Sequence, residues 1–199
     1  MRIGILGGSF DPPHLGHIFI AEQVKEQLDL DAIWFMPLGS HPFQKKISDV
    51  KHRLFMTNYL QTDDMRVSDF EIQHNPTSYT IDTLEMLPQE YPQTTFFWIT
   101  GTDQLHSFQK YKRWQDIVAK HNLVIFPREY VLWHIEEKIK RSLDLQSIPE
   151  NIIMLNNREL ILTNISSTLI RERVKKGLPI HYLVPKDVEA YIKKNNLYK

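Results

Sequence analysis

The sequence predicts an α/β protein: a parallel sheet with helices on both faces, followed by a small C-terminal helical part. Two observations predict the sheet. Short apolar runs rich in β-formers alternate with segments of helical spacing along most of the 199 residues. The segments richest in Gly, Ser, His and Asp follow the ends of these runs, where ligands of such sheets bind. The helical ending rests on a third: the last two periodic segments have no strand between them.

The elements follow in order. Residues 3–6 form a short apolar run stopped by Gly7 and Gly8, which reads as a strand. A Pro-rich turn follows. Ile18, Ile20, Ala21, Val24 and Leu28 then recur at helical spacing, giving a helix over 17–28. Residues 32–37 (AIWFMP) are a strand closed by proline. Residues 51–61 read as helix, 65–72 as extended and 80–87 as helix. Residues 94–100 (TTFFWIT) are a buried strand, and 103–120 a helix with a break near Tyr111. Residues 123–127 are a strand and 132–143 a charged amphipathic helix; 152–155 and 159–163 are short strands or connectors. A helix over 167–176 ends at Gly177, a residue suited to the position after a helix. A last helix spans 184–195, with Pro185 near its start. Residues 39–49 read as a mobile loop.

Composition narrows the class. Hydrophobic residues make up 42%, enough for a core. Lys plus Arg and Asp plus Glu both count 24. That balance gives no support to nucleic-acid or membrane binding through excess positive charge, and no such partner is expected. There is no cysteine, which excludes disulfides, thiolate chemistry and Cys-based zinc sites. No run approaches the ~18 apolar residues of a membrane span, and no signal-peptide pattern opens the chain. A cytoplasmic location is the expectation.

The stretch Gly7-Gly8-Ser9-Phe10-Asp11-Pro12-Pro13-His14-Leu15-Gly16-His17 leads from a strand into a helix. Gly7 and Gly8 permit a bend that lets the backbone approach a ligand. The helix mouth offers N–H groups and a positive dipole end, which suit phosphate. His14 and His17, three apart, share one side of the first turn. Gly16 leaves a flat surface between them. Two imidazoles donating to phosphate oxygens can stabilise charge growing on phosphorus. No third ligand at convincing spacing accompanies them, so no structural metal is expected.

Further along, Ile165-Ser166-Ser167-Thr168-Leu169-Ile170-Arg171 sets small hydroxyls before a helix and an Arg one turn inside. Such a segment is either an ordinary helix cap or an anion site in which Arg171 reaches phosphate. Ser78-Tyr79-Thr80 opens another helix: either a plain helix cap with Tyr79 packing on the core, or a start whose N–H groups can receive a carboxylate. Ile99-Thr100-Gly101-Thr102-Asp103 closes a strand, with Asp103 placed to cap a helix or to bind a hydroxyl.

These segments together resemble the bacterial nicotinate-nucleotide adenylyltransferases of the HxGH nucleotidylyltransferase superfamily. The resembling motifs are GGSFDPPHLGH, SYTIDTL, ITGTD and ISSTLIR, in family order and spacing from the first strand to the last residues. The resemblance implies a Rossmann-like nucleotidylyltransferase fold. It implies one domain over 1–199, with a core over about 1–165 and a helical part over about 166–199. It implies adenylyl transfer from ATP to nicotinate mononucleotide, releasing pyrophosphate. The same transfer to nicotinamide mononucleotide or phosphopantetheine is the alternative.

Carried onto this chain, His14, His17 and Arg171 become the catalytic residues. Gly7, Gly8, Ser9, Phe10, Gly16, Lys45, Gly101, Asp103, Ile165, Ser166, Ser167 and Thr168 become the ATP side. Ser78, Tyr79, Thr80 and Tyr111 become the mononucleotide side. Mg²⁺ is expected to travel mainly on the ATP phosphates, and a homo-oligomer is possible. The chain departs from the family in two places. Its loop reads His41-Pro42-Phe43-Gln44-Lys45-Lys46, leaving Lys45 or Lys46 as the phosphate-facing charge. Where the family places a Trp that stacks on the pyridine ring, this chain has Tyr111, with Trp114 three residues later. Leu183, Val184 and Pro185, with the ending Asn196-Leu197-Tyr198, match the family's C-terminal pattern and read as packing.

Overall fold

The computed structural model describes residues 1–40, 46–74, 77–128, 134–155 and 159–199. Among the described residues six parallel strands form one sheet: β1 (Arg2–Gly8), β2 (Ala32–Pro37), β3 (Met65–Val67), β4 (Thr95–Gly101), β5 (Asn122–Phe126) and β6 (Ile152–Met154). The helices among them are α1 (Leu15–Leu28), α2 (Val50–Thr57), α3 (Phe70–His74), α4 (Thr80–Glu90), α5 (Trp114–Lys120), α6 (Ile135–Ser142), α7 (Ser167–Lys175) and α8 (Lys186–Lys194). Their spatial order is β3-β2-β1-β4-β5-β6. The chain builds outward from β1 on one side, then crosses back and builds outward from β4. The reversal between β1 and β4 opens a crevice at their carboxyl ends. Register places Ile3 beside Ala32 on one flank of β1 and beside Phe96 on the other.

The period of two along each strand divides the core between the two faces. Phe96 and Trp98 of β4 join Ile3 and Ile5 on one face, under α4 (Thr80–Glu90) and α5 (Trp114–Lys120). Phe97 and Ile99 point the other way, joining Ile20, Ala21 and Val24 of α1 (Leu15–Leu28). A third cluster, Ile165, Ile170, Ile180, Leu183, Val188 and Ile192, is built by the C-terminal helices around Met56.

Most expected elements appear, and three differ in detail. The extended reading of 65–72 holds only to Val67, because a short helix over Phe70–His74 follows. Ser68 and Asp69 begin that turn: Ser68 Oγ accepts the Phe70 N–H (3.4 Å) and the Asp69 carbonyl accepts the Gln73 N–H (3.0 Å). Over 103–120 the first half is a 3₁₀ segment, Leu105–Lys110. The chain then turns at Tyr111 and resumes as α5 after Arg113, which has a left-handed φ of 50°. Residues 159–163 form no strand.

The helix expected over 132–143 is described over Ile135–Ser142; residues 132 and 133 lie outside the described residues. The C-terminal pair is α7 (Ser167–Lys175) and α8 (Lys186–Lys194). Gly177 follows α7 with φ 65°, a conformation that only glycine adopts without strain.

Candidate active site

A cavity of about 420 Å³ lies at the crevice between the carboxyl ends of β1 and β4. Its walls come from segments far apart in sequence. Gly7, Gly8, Ser9 and Phe10 form one wall with His14 and His17; Gly101 and Asp103 leave β4 beside them. Ser78, Tyr79, Thr80 and Tyr111 line it, as do Ser166, Ser167, Thr168 and Arg171. Gly16 and Ile165 lie just behind the lining, both buried. Lys45 lies outside the described residues. Tyr111 stacks on Phe108 (centroids 4.9 Å, 15°) and reaches the cavity, whereas Trp114 packs against the core.

The histidine pair is held from behind. The His14 N–H donates to Nδ1 of His17 at 3.1 Å, and the two rings stack with centroids 3.7 Å apart. A Cβ on Gly16 would lie 3.0 Å from Nδ1 of His14, so glycine lets that ring pack flat on the helix start. Nδ1 of His14 is buried and unpartnered among the described residues. Burial first, and the charge of Arg128 second, hold the His17 pKa down to about 3; His14 is lowered by burial, then by His17 and Arg128. Both imidazoles are therefore neutral at neutral pH. With Nδ1 accepting, His17 carries its proton on Nε2, as a donor.

Two local expectations change. The bend after β1 does not depend on glycine torsions: the left-handed residue is Phe10, with φ 48°, and its ring is buried. Gly7 is required by packing, since a Cβ there would meet Trp98 Cη2 at 2.6 Å. The mouth of α1 is also less open than the sequence suggests. Its Leu15 N–H donates to the Leu183 carbonyl (3.0 Å) and its His17 N–H returns to His14 (2.9 Å).

The mouth of α7 is more open. Ser166 caps it, accepting the Leu169 N–H at 3.2 Å, which leaves the N–H groups of Ser167 and Thr168 without an intrahelical acceptor. Ser167 Oγ donates to the Pro12 carbonyl (2.8 Å), and Arg171 Nη1 donates to the Asp11 carbonyl (2.7 Å). These two bonds join the C-terminal segment to the loop before His14.

The turn at 78–80 is equally fixed. Ser78 Oγ accepts the Gly39 N–H at 2.9 Å. The N–H groups of Asp82 and Thr83 both return to the Tyr79 carbonyl, leaving those of Thr80 and Ile81 without an intrahelical acceptor. Lys112 sits 5.0 Å over the Tyr79 ring and pairs with Asp82 at 2.9 Å.

Several site residues were not singled out from the sequence. Arg128 lines the cavity and donates from Nη2 to the Ile165 carbonyl (3.0 Å); its only signal is its place just after β5. Glu71 lines the cavity and accepts the Thr83 hydroxyl at 2.7 Å, with its pKa raised by burial. Arg53, 1% exposed, donates to the carbonyls of Ser48, Ser9 and Gly39 at 2.9, 2.9 and 2.6 Å. Nothing local in the sequence marks Glu71 or Arg53.

The family model described as cytidylyltransferase-like matches residues 5–173. A protein of Exiguobacterium sibiricum named probable nicotinate-nucleotide adenylyltransferase is 36% identical, with all of this chain and 99% of that protein covered. One of the same name from Halalkalibacterium halodurans is also 36% identical, over all of this chain and 91% of its own length. Among solved structures, the Plasmodium falciparum nicotinic acid mononucleotide adenylyltransferase complexed with NaAD superposes with a TM-score of 0.80. It is 22% identical and covers 99% of this chain and 97% of its own.

Proposed function

The chain belongs to the nicotinate-nucleotide adenylyltransferases of the cytidylyltransferase-like family, and from that premise we propose how its residues divide the reaction. The enzyme transfers the adenylyl group of ATP to nicotinate mononucleotide, forming deamido-NAD and pyrophosphate. One observation carries the assignment of roles: the histidine pair, the mouth of α7 and the 78–80 turn open onto one cavity at the β1/β4 crevice.

A phosphate oxygen of the mononucleotide attacks the α-phosphorus of ATP in line. The bond from that phosphorus to the bridging oxygen breaks, and its electron pair leaves with pyrophosphate. A phosphate monoester is largely dianionic near neutral pH, so the attack needs no strong base and no enzyme nucleophile. Catalysis is then placement and charge stabilisation. The Nε2–H of His17 donates to the α-phosphate, and His14 binds the phosphate chain beside it. The N–H groups of Ser167 and Thr168, with Arg171, hold the leaving pyrophosphate. Lys45 or Lys46 supplies further positive charge there. Gly7 to Phe10 and Gly16 bound the nucleotide, while Gly101 and Asp103 face its adenosine side.

The substrate carboxylate meets the N–H groups at the start of α4, and Tyr111 lies against the pyridine ring. A carboxylate accepts charge-assisted bonds from both N–H groups, which a carboxamide does less well.

Magnesium is assigned to the nucleotide. The cavity presents imidazoles, hydroxyls, amides, guanidinium and ammonium groups beside the scattered carboxylates of Asp11, Glu71 and Asp103, and among the described residues no three His, Asp or Glu side chains gather as a metal cage. These donors fit phosphate better than a bare cation. Carried on the triphosphate, Mg²⁺ would supply positive charge to offset that of the leaving pyrophosphate, which Arg171 and the mouth of α7 would hold. Among the described residues no helix is long and apolar enough to cross a membrane.

The test supplies ATP and Mg²⁺ with nicotinate mononucleotide, nicotinamide mononucleotide or phosphopantetheine in turn, and identifies the product by mass alongside pyrophosphate release. Deamido-NAD as the fastest-formed product is expected. Faster turnover of either other acceptor would reassign the substrate.

A further inference from the structure

The C-terminal pattern Asn196-Leu197-Tyr198 reads as packing in the sequence, and Leu197 does pack in the third core cluster. Tyr198 does more. Its hydroxyl donates to Oδ1 of Asp11 at 2.7 Å, across 187 residues of sequence. Asp11 is 3% exposed and lines the cavity. Its Oδ2 accepts the Ser48 N–H at 3.2 Å, and its backbone carbonyl accepts Arg171 Nη1 at 2.7 Å. One residue thus receives a phenol on its carboxylate and the phosphate-side arginine on its carbonyl.

The surroundings leave Asp11 few alternatives. Phe10, on one side, is buried in a left-handed conformation. Pro12, on the other, is tied through its carbonyl to Ser167. Arg53 fixes the carbonyls of Ser9 and Ser48, so both flanks of the Asp11 carboxylate are clamped. The phenol's pKa is raised, by burial and then by the Asp11 charge, so the hydroxyl stays a donor.

We propose that Tyr198 is a positioning residue for adenylyl transfer: by occupying the Asp11 carboxylate, it keeps the Asp11 carbonyl as the partner of Arg171 and so aims that guanidinium at the leaving pyrophosphate. An Asp11 carboxylate without its phenol donor is a better acceptor for Arg171 than a neutral carbonyl. Arg171 then turns to the carboxylate and away from the phosphate chain. The carboxylate's charge, no longer offset by the phenol O–H, also bears more strongly on a triphosphate beside it. The inference rests on the role of Arg171 proposed above.

The experiment is a double-mutant cycle on the full chain with Tyr198→Phe, Arg171→Ala and both together. For each protein, kcat and the KM for ATP and nicotinate mononucleotide are measured well below the lowest thermal midpoint of the set. Phenylalanine keeps the ring, so packing is preserved. Tyr198→Phe is expected to lower kcat about tenfold, the value of one charge-assisted bond, with both KM values within about threefold. In the Arg171→Ala background the same change is expected to have almost no effect, because the residue it acts through is gone.

Three outcomes overturn the proposal: an unchanged kcat in Tyr198→Phe; a loss that multiplies with that of Arg171→Ala; or a change confined to the thermal midpoint. An unmutated enzyme that forms no dinucleotide, or an Arg171→Ala enzyme at full activity, would instead refute the reading on which the inference rests.

Discussion

Nδ1 of His17 accepts the backbone N–H of His14 at 3.1 Å while the two rings stack with centroids 3.7 Å apart. The bond decides the tautomer of His17. Burial first, and then the charge of Arg128, with His17 also acting on His14, keep both rings uncharged at neutral pH. The site is thus set to stabilise incoming and developing negative charge without carrying a buried positive charge of its own on the imidazoles.

From this pair follows the first prediction. His17→Ala removes the Nε2–H donor and is expected to lower kcat by at least ~10²-fold, with a much smaller rise in the KM for ATP. Steady-state kinetics at saturating mononucleotide provide the measurement. A loss confined to KM would show that His17 binds the ground state only.

Acid stability is the second. The folded pKa of His17 is depressed from 6.5 to about 3, and that of His14 is depressed as well. Above pH 6.5 both states are neutral and the contribution is fully present. Below it the unfolded chain takes up protons that the folded one refuses, so stability is lost as pH falls toward 3, at up to ~1.4 kcal/mol per unit for each ring. Glu71 runs the other way. Its folded pKa is raised, so its contribution is present below 4.5 and lost as pH rises through the folded value. Urea midpoints from pH 7 to 4.5 should fall less steeply in the His14→Asn, His17→Asn double variant than in the native chain. Parallel curves would rule out the histidine contribution.

Substrate choice gives the third. Thr80 is the first residue of α4, and Tyr79 before it is extended (φ −107°, ψ 125°). Proline is tolerated at a first helical position after an extended residue, so Thr80→Pro deletes one N–H and leaves the helix intact. The ratio of kcat/KM for nicotinate over nicotinamide mononucleotide should fall about tenfold. A ratio that stays put would place carboxylate recognition elsewhere.

Arg53 supplies the fourth. Its guanidinium is bonded to three carbonyls and almost wholly buried. Arg53→Ala leaves those acceptors unpaired and opens a cavity, which should cost on the order of 3 kcal/mol. Chemical denaturation at pH 7 measures it; a change below about 1 kcal/mol would mean that the loops rearrange to satisfy themselves.

What could be read without coordinates was local. The alternation of strand and helix gave the α/β class, since burial on a pleated sheet and on a helix face leaves periods of two and 3.6 residues in the chain. The His14 and His17 pair and the Ser166 cap before Arg171 were legible because their partners lie within one helical turn. Proline and glycine marked the ends of the C-terminal helices. The short helix at Phe70–His74 was missed because five residues hold too little periodicity.

Tertiary structure alone decided the rest. The order of the strands set β1 beside β4, and with it the crevice where the motifs meet. It made Phe10, not a glycine, the left-handed residue of the loop. Asp11 became the meeting point of Ser48, Arg171 and Tyr198, which lie 37, 160 and 187 residues away. A hydrogen bond between such positions leaves no spacing in the sequence, because distance along the chain carries no record of which surfaces the folded core brings together.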